Sequence, residues 1–235
     1  MAGIDGCRSG WVVAAVPAQG PVIRGGGPVI QVVPRLDEVV AALESGRLYA
    51  AAVDIPIGLA TAEPRVCDLE ARRMLGPRRS SVFPAPVRAV LGTTSYAEAC
   101  AVSRSVCGKA LSKQLFNIVE KIREVDELLS RSPTLERRLF EASPELSFAL
   151  MSGGDPMRHN KRSAAGRAER VAALQTVFGD SDIASQVGAP PKGSSSDDVF
   201  DALALAWTAR RHAAGASLRL GGDVDETGLR MEVIA

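Results

Sequence analysis

Asp5, Asp54, Asp198 and Asp201 are the residues of this chain best placed to do chemistry. Asp5 stands in Gly3-Ile4-Asp5-Gly6, inside the first apolar segment, and Asp54 ends the apolar run 50–53 ahead of Ile55-Pro56-Ile57-Gly58. A carboxylate at such a place is costly to bury unless it is paired, protonated or bound to a cation. Taken alone, Asp54 reads equally well as a strand-end residue capping a turn. Asp198 and Asp201 are spaced i, i+3 in Asp197-Asp198-Val199-Phe200-Asp201-Ala202-Leu203 and share one face of a helix, bordering its apolar stripe. The helix dipole favours first-turn acids, which accounts for Asp197 and in part for Asp198, but not for Asp201 one turn further in. Two like charges that close repel, and a divalent cation is the ordinary way to hold them. Glu145, beside a strand candidate, reads equally as a fifth acid of the site or as a surface residue.

Hard cations such as Mg2+ and Mn2+ take oxygen ligands, and carboxylates supply them. A pair of such ions can activate a water and stabilise the leaving oxygen of a phosphodiester, with no His or Cys needed. The chain has two histidines and four cysteines, none of them in C-x-x-C spacing, so it suits zinc or Ser-His-Asp chemistry poorly. Cys7 lies beside Asp5 without a nearby histidine and reads as a small buried thiol rather than a nucleophile.

The elements that must position these acids follow from periodicity. Ile4 and the run from Trp11 to Val16, then Val22-Ile23 and Val29 to Val33 about Gly25-Gly26-Gly27, predict an antiparallel meander of three strands. Leu36, Val39, Val40 and Leu43 mark a helix ending at Gly46, and Tyr49 to Ile55 reads as a buried central strand of parallel type. From about 60 to 140 the signals are helical: Val66 to Leu75, Tyr96 to Val106 and a long helix from Leu111 to Leu129, with Ser80 to Pro86 as a proline-bound loop. Leu139 to Ala142 or Leu146 to Leu150 is the next strand. A helix over Ala164 to Phe178, a loop over Gly188 to Ser196, a helix over Asp197 to Ala214 with Ser196 as N-cap, and a strand over Leu229 to Ile234 complete the chain.

At 235 residues, 46% hydrophobic and 23% charged, the chain can build one domain with an insertion. Its net charge of +1 does not mark a strongly basic nucleic-acid binder, although local patches remain compatible with one. No signal peptide or membrane span is read, and reduced thiols in a cytoplasm are expected.

Gly3-Ile4-Asp5-Gly6-Cys7-Arg8-Ser9-Gly10-Trp11, Val53-Asp54-Ile55-Pro56-Ile57-Gly58-Leu59, Ser80-Ser81-Val82-Phe83-Pro84-Ala85-Pro86 and Asp197-Asp198-Val199-Phe200-Asp201-Ala202 together resemble the family known as domain of unknown function 429, described as predicted ribonuclease H-like nucleases. The resemblance spans nearly the whole chain. It implies a single ribonuclease H-like α/β domain over 1–235, with a mixed five-stranded sheet, three strands antiparallel and then parallel, and a mainly helical insertion at about 60–140. The final helix is similar to that of RuvC-type resolvases. By that analogy Asp5 and Asp201 are core metal ligands and Asp54 and Asp198 complete the set, with Asp54 one methylene shorter than the usual Glu.

The function so implied is a Mg2+- or Mn2+-dependent nuclease or phosphodiesterase acting on DNA or RNA, with Asp5, Asp54, Glu145, Asp198 and Asp201 as catalytic acids. A homodimer is compatible with this. Arg78 and Arg79, in the loop, are the better phosphate contacts, and Ser81, Arg8 and Lys113 are further candidates. Arg72 and Arg73 read rather as a solvated helix face. Two alternatives stay open: an actin-like or sugar-kinase-like protein using Asp5-Gly6-Cys7-Arg8-Ser9-Gly10 as a phosphate loop, and a non-catalytic nucleic-acid-binding module on the same fold.

Overall fold

A computed structural model describes residues 1–18, 27–179 and 182–235. The chain opens with β1 (Ala2–Cys7), β2 (Gly10–Ala15) and β3 (Val29–Val33), followed by α1 (Asp37–Glu44) and β4 (Ala51–Val53). Then come α2 (Val66–Met74), α3 (Tyr96–Cys107), α4 (Lys113–Phe116), α5 (Val119–Arg131) and β5 (Leu139–Glu141). The remainder is α6 (Pro144–Met151), α7 (Ala164–Phe178), α8 (Ile183–Gly188), α9 (Ser196–Ala213), β6 (Arg219–Val224) and β7 (Arg230–Ile234).

The main sheet has the order β3-β2-β1-β4-β5. β1, β2 and β3 pair antiparallel, while β4 and β5 join parallel to β1 and to each other. This is the mixed five-stranded sheet flanked by helices that the sequence led us to expect. The region between β4 and β5 is mainly helical.

Successive strand residues point to opposite faces, and the sheet divides its core accordingly. Ala2, Ile4, Trp11, Val13, Ala51 and Val53 pack with α1 and α5 residues such as Leu43, Ile122 and Leu129. Cys7, Val12, Ala14, Ala52 and Phe140 pack with α9 residues Val199, Ala202, Leu203 and Ala206. Asp5 belongs to this second face by alternation. α5 is held on the first face partly by Glu124, which accepts from the Trp11 indole at 3.2 Å and from the Leu36 amide at 2.8 Å.

Several boundaries differ from the expectation. The run Leu111 to Leu129 is two helices, because the chain turns at Asn117 and Ile118, where Asn117 closes α4 and Ile118 precedes α5. Leu146 to Leu150 is part of α6 rather than a strand, since Pro144 at its first turn pre-sets helical geometry and the strand is spent on Leu139–Glu141. The last long helix starts one residue earlier than read, because Ser195 rather than Ser196 is the N-cap. The closing strand pairs with a second one, β6, that the sequence did not suggest. Val22-Ile23 and most of the glycine turn lie outside the described residues.

The β6–β7 hairpin locks the ends of the main sheet. Ile234 bridges Ala142 just beyond β5. Between the two hairpin strands, Asp225 accepts from the Leu59 amide at 2.8 Å, and Arg88 bridges Asp225 and Asp126. Although burial opposes it, hydrogen bonds from Leu59, Thr227 and Arg88 hold the Asp225 carboxyl down at about 2. Among the described residues, no helix is long and apolar enough to cross a membrane.

Candidate functional site

The site is assembled at the carboxyl ends of β1 and β4. These strands run parallel with Ile4 opposite Val53, and the Asp54 amide donates to the Ile4 carbonyl at 3.0 Å. The next residue on each strand is an acid, so Asp5 and Asp54 lie side by side on the face that carries α9. That helix can lie directly on β1 because Gly3 has no side chain: a Cβ there would stand 2.0 Å from the Ala202 carbonyl oxygen and 2.1 Å from the Ala206 amide nitrogen. Two residues beyond Gly3 on the same face is Asp5, and the neighbour of Ala202 is Asp201. Close backbone packing therefore brings the third acid to the other two.

Asp5 and Asp201 are buried and Asp54 is half-buried, and each one's pKa is raised. For Asp5 the causes are burial, then the charges of Asp201, Asp54 and Asp198. Asp54 is pushed up to about 7 by burial and by Asp201, with Lys161 opposing. Asp201 is raised by burial, again against Lys161. Lys161, in the loop between α6 and α7, donates to Asp201 Oδ2 at 2.7 Å. Although its own burial opposes it, Asp201 keeps the Lys161 ammonium charged well above its ordinary range. Asp201 Oδ1 is buried with no hydrogen-bond partner.

Glu145, at the first turn of α6, joins this group. One oxygen pairs with the fully buried Arg170 at 2.6 Å; the other is 3.8 Å from Arg78 and makes no hydrogen bond. Arg170 also lies over the Phe148 ring. Among the described residues, Asp201 and Glu145 thus have ion-pair partners and Asp5 and Asp54 have none.

A second buried charge cluster adjoins the first. Arg65 is bidentate to Glu141 at 2.7 and 2.8 Å and also pairs with Asp68 at 2.6 Å. Glu141 accepts from the Ile57 amide at 2.7 Å, while Arg65 donates to the Ile57 and Gly58 carbonyls. The loop that follows Asp54 is therefore fixed by the end of β5. Sequence reasoning missed Glu141, Lys161 and Arg170 as members of the site. Glu141 is one acid on a three-residue strand, and the two cations lie in the basic stretch Arg158 to Arg170, which by sequence suits nucleic-acid backbone contacts but more often is plain surface; each acquires its meaning only from a partner distant in sequence.

The acids open into a cleft of about 570 Å³. Asp5, Asp54, Glu145, Asp201, Arg78 and Ser81 line it, together with Lys121 and Lys161. Three expected members are elsewhere, and a fourth, Asp198, is near enough for its charge to act on Asp5 but is otherwise engaged. Asp198 forms a capping box with Ser195, its carboxylate accepting from the Ser195 amide at 2.7 Å, so this acid is used by its own helix and does not line the cleft. Arg8 borders a different depression with Arg35 and Glu124. Arg79 is exposed on the short turn after α2, away from the cleft wall. Lys113 stacks over the Tyr96 and Phe116 rings, 4.6 and 5.0 Å from their centroids. Cys7 is buried, and burial pushes its thiol up, as suits a packing residue.

The donor chemistry here fits a hard divalent cation, since the ligands on offer are carboxylate oxygens, one of them a buried oxygen without a partner. The four-carboxylate centre expected from the sequence is not closed, however. Among the described residues, no group of three or more His, Cys, Asp or Glu side chains stands in an arrangement able to hold a metal ion. Asp201 is paired instead with Lys161.

Neither a curated protein nor a solved structure matches the chain. One family model does match, over residues 3–226, and it is described as a protein of unknown function (DUF429); the chain belongs to that family.

Proposed function

We propose that the protein is a divalent-metal-dependent phosphodiesterase acting on nucleic acid. The observation that carries this reading is the convergence of Asp5, Asp54 and Asp201, two buried carboxylates and one half-buried, from separate segments with one lysine ammonium among them. Burying that much like charge is costly, and a doubly charged ion relieves it. The cation, when bound, supplies Lewis acidity toward a phosphoryl oxygen and lowers the pKa of a water.

The chain's own residues do the rest. The β1–β4 register sets the backbones of Asp5 and Asp54 side by side, and their carboxylates close on the cation when it binds. Asp201 is fixed by the packing of α9 on Gly3. Arg78 lies on the cleft wall, 3.8 Å from Glu145, where its guanidinium can meet a phosphate. Lys121, which also lines the cleft, has its ammonium over the Trp11 ring and donates to the Gly10 carbonyl. Four free cysteines suit a reducing compartment such as the cytoplasm.

The test compares the wild-type protein with Asp5→Asn and Asp201→Asn on single-stranded, duplex, hybrid and branched substrates in manganese, with calorimetry of Mn2+ binding alongside. The expected result is manganese-dependent cleavage and manganese binding, each lost in both variants. Cleavage of no substrate above the level of the variants would remove the reading.

A further inference from the structure

The loop Ser80 to Pro86 presents an aromatic ring that the fold does not use. Phe83 is 50% exposed and lines the cleft that holds the acids. Of the exposed large apolar residues among those described, it is the one in that wall. Its ring makes no contact with another aromatic ring among the described residues.

The segment bearing Phe83 is nevertheless pinned on both sides. Arg72 donates to the Val82 carbonyl at 2.6 Å, and the Ala85 amide donates to Asp68 at 2.9 Å. Asp68 is itself held by Arg65 within the buried triad with Glu141. Pro84 and Pro86 restrict the backbone further. A ring kept in water on a rigid support beside a cluster of buried acids has the form of a stacking platform.

The surroundings of the ring narrow what would stack there. Arg78, Lys121, Lys161 and Arg162 line the same cleft, with Ser81, Gln114 and Asn160 as neutral polar groups. Cations and hydrogen-bonding groups around one exposed ring suit a base with its attached phosphates better than a purely apolar ligand. A cleft of about 570 Å³ falls in the size range of small-ligand pockets and accommodates roughly one or two nucleotides, not the width of a duplex. Asp201 Oδ1, buried and without a partner, lies in the same space.

We propose that the cleft takes an unpaired nucleic-acid strand, with one base stacked on Phe83 and the adjoining phosphodiester directed over Asp5, Asp54 and Asp201. This rests on the phosphodiesterase reading and assigns its substrate class: single strands, loops or frayed ends rather than continuous duplex. Base–aromatic stacking is tolerant of sequence, so discrimination falls on pairing state and not on base identity.

The test measures binding, which does not require turnover. A short oligonucleotide carrying 2-aminopurine is titrated with wild-type protein, Phe83→Ala and Phe83→Tyr in magnesium, as a single strand and as a blunt duplex, with cleavage followed in parallel. Wild-type protein should bind the single strand about tenfold or more tightly over the duplex and quench the 2-aminopurine. Phe83→Ala should lose about tenfold in single-strand affinity together with the quenching, and Phe83→Tyr should keep both. Equal affinity for duplex, or unchanged binding and quenching in Phe83→Ala, overturns the proposal. Duplex cleavage with no single-strand preference overturns it while leaving the phosphodiesterase reading intact; absence of binding and of cleavage on every substrate removes both.

Discussion

Gly3 of β1 and Ala202 of α9 are packed backbone to backbone, with no room for a single carbon between them. This contact sets the distance between the first strand and the last long helix, and with it the approach of Asp201 to Asp5. The atoms a side chain would strike are a carbonyl oxygen and an amide nitrogen, and neither can rotate away. Gly3→Ala is therefore expected to cost more than about 3 kcal/mol, at the severe end of overpacking. Urea denaturation followed by circular dichroism checks this. A loss below about 0.5 kcal/mol would mean that the helix does not lie on the strand as described.

Asp54 makes stability depend on pH in the direction opposite to a salt-bridged carboxylate. Its pKa is about 7 when folded, against about 4 in an unfolded chain. The folded state thus holds the extra proton across this window, and stability falls as pH rises from about 4 through about 7. Asn at this position carries no charge at any pH. In EDTA at pH 8, Asp54→Asn should be more stable than the wild-type protein by on the order of 1 kcal/mol or more, with the difference fading near pH 4. Denaturation at the two pH values decides it; a wild-type protein that is the more stable at pH 8 contradicts the assignment.

Asp198 shows how a cap and a ligand can share one spacing. In the structure it exchanges hydrogen bonds with Ser195. Ser195→Ala and Asp198→Ala should each cost about 1 kcal/mol, and the double variant less than the sum, because one reciprocal device is lost once. Manganese-dependent cleavage should survive Asp198→Ala. Loss of cleavage with unchanged stability would return this acid to the site.

What the sequence made legible follows from what burial costs. Asp5, Asp54 and Asp201 stood out because each interrupts an apolar run, and the anomaly is visible without knowing the partner. The strands were legible for a related reason: the apolar runs Trp11 to Val16 and that before Asp54 carry their environment with them, while their arrangement in one mixed sheet was implied by the family resemblance. Lys161, Arg170 and Glu141 gave no such sign. A lysine in a turn, an arginine in a helix and a glutamate on a short strand are ordinary until the fold sets Asp201, Glu145 and Arg65 against them. Ser195 was passed over in favour of its neighbour because two adjacent serines can both cap, and only the reciprocal bond with Asp198 chooses between them.

The pairing of Arg65 with Glu141 joins positions 76 residues apart, at the two feet of the helical insertion. The stretch between them becomes an arch standing on a fixed base. Within it α5 is docked on the sheet and Ala99 and Cys100 of α3 are buried, but the turn after α3, around Gly108 to Ala110, is exposed, and lengthening such a turn costs only with the logarithm of its length. Descendants of one ancestral chain could then diversify the outer wall of the groove, and with it their choice of target, while the carboxylates at its floor kept their positions.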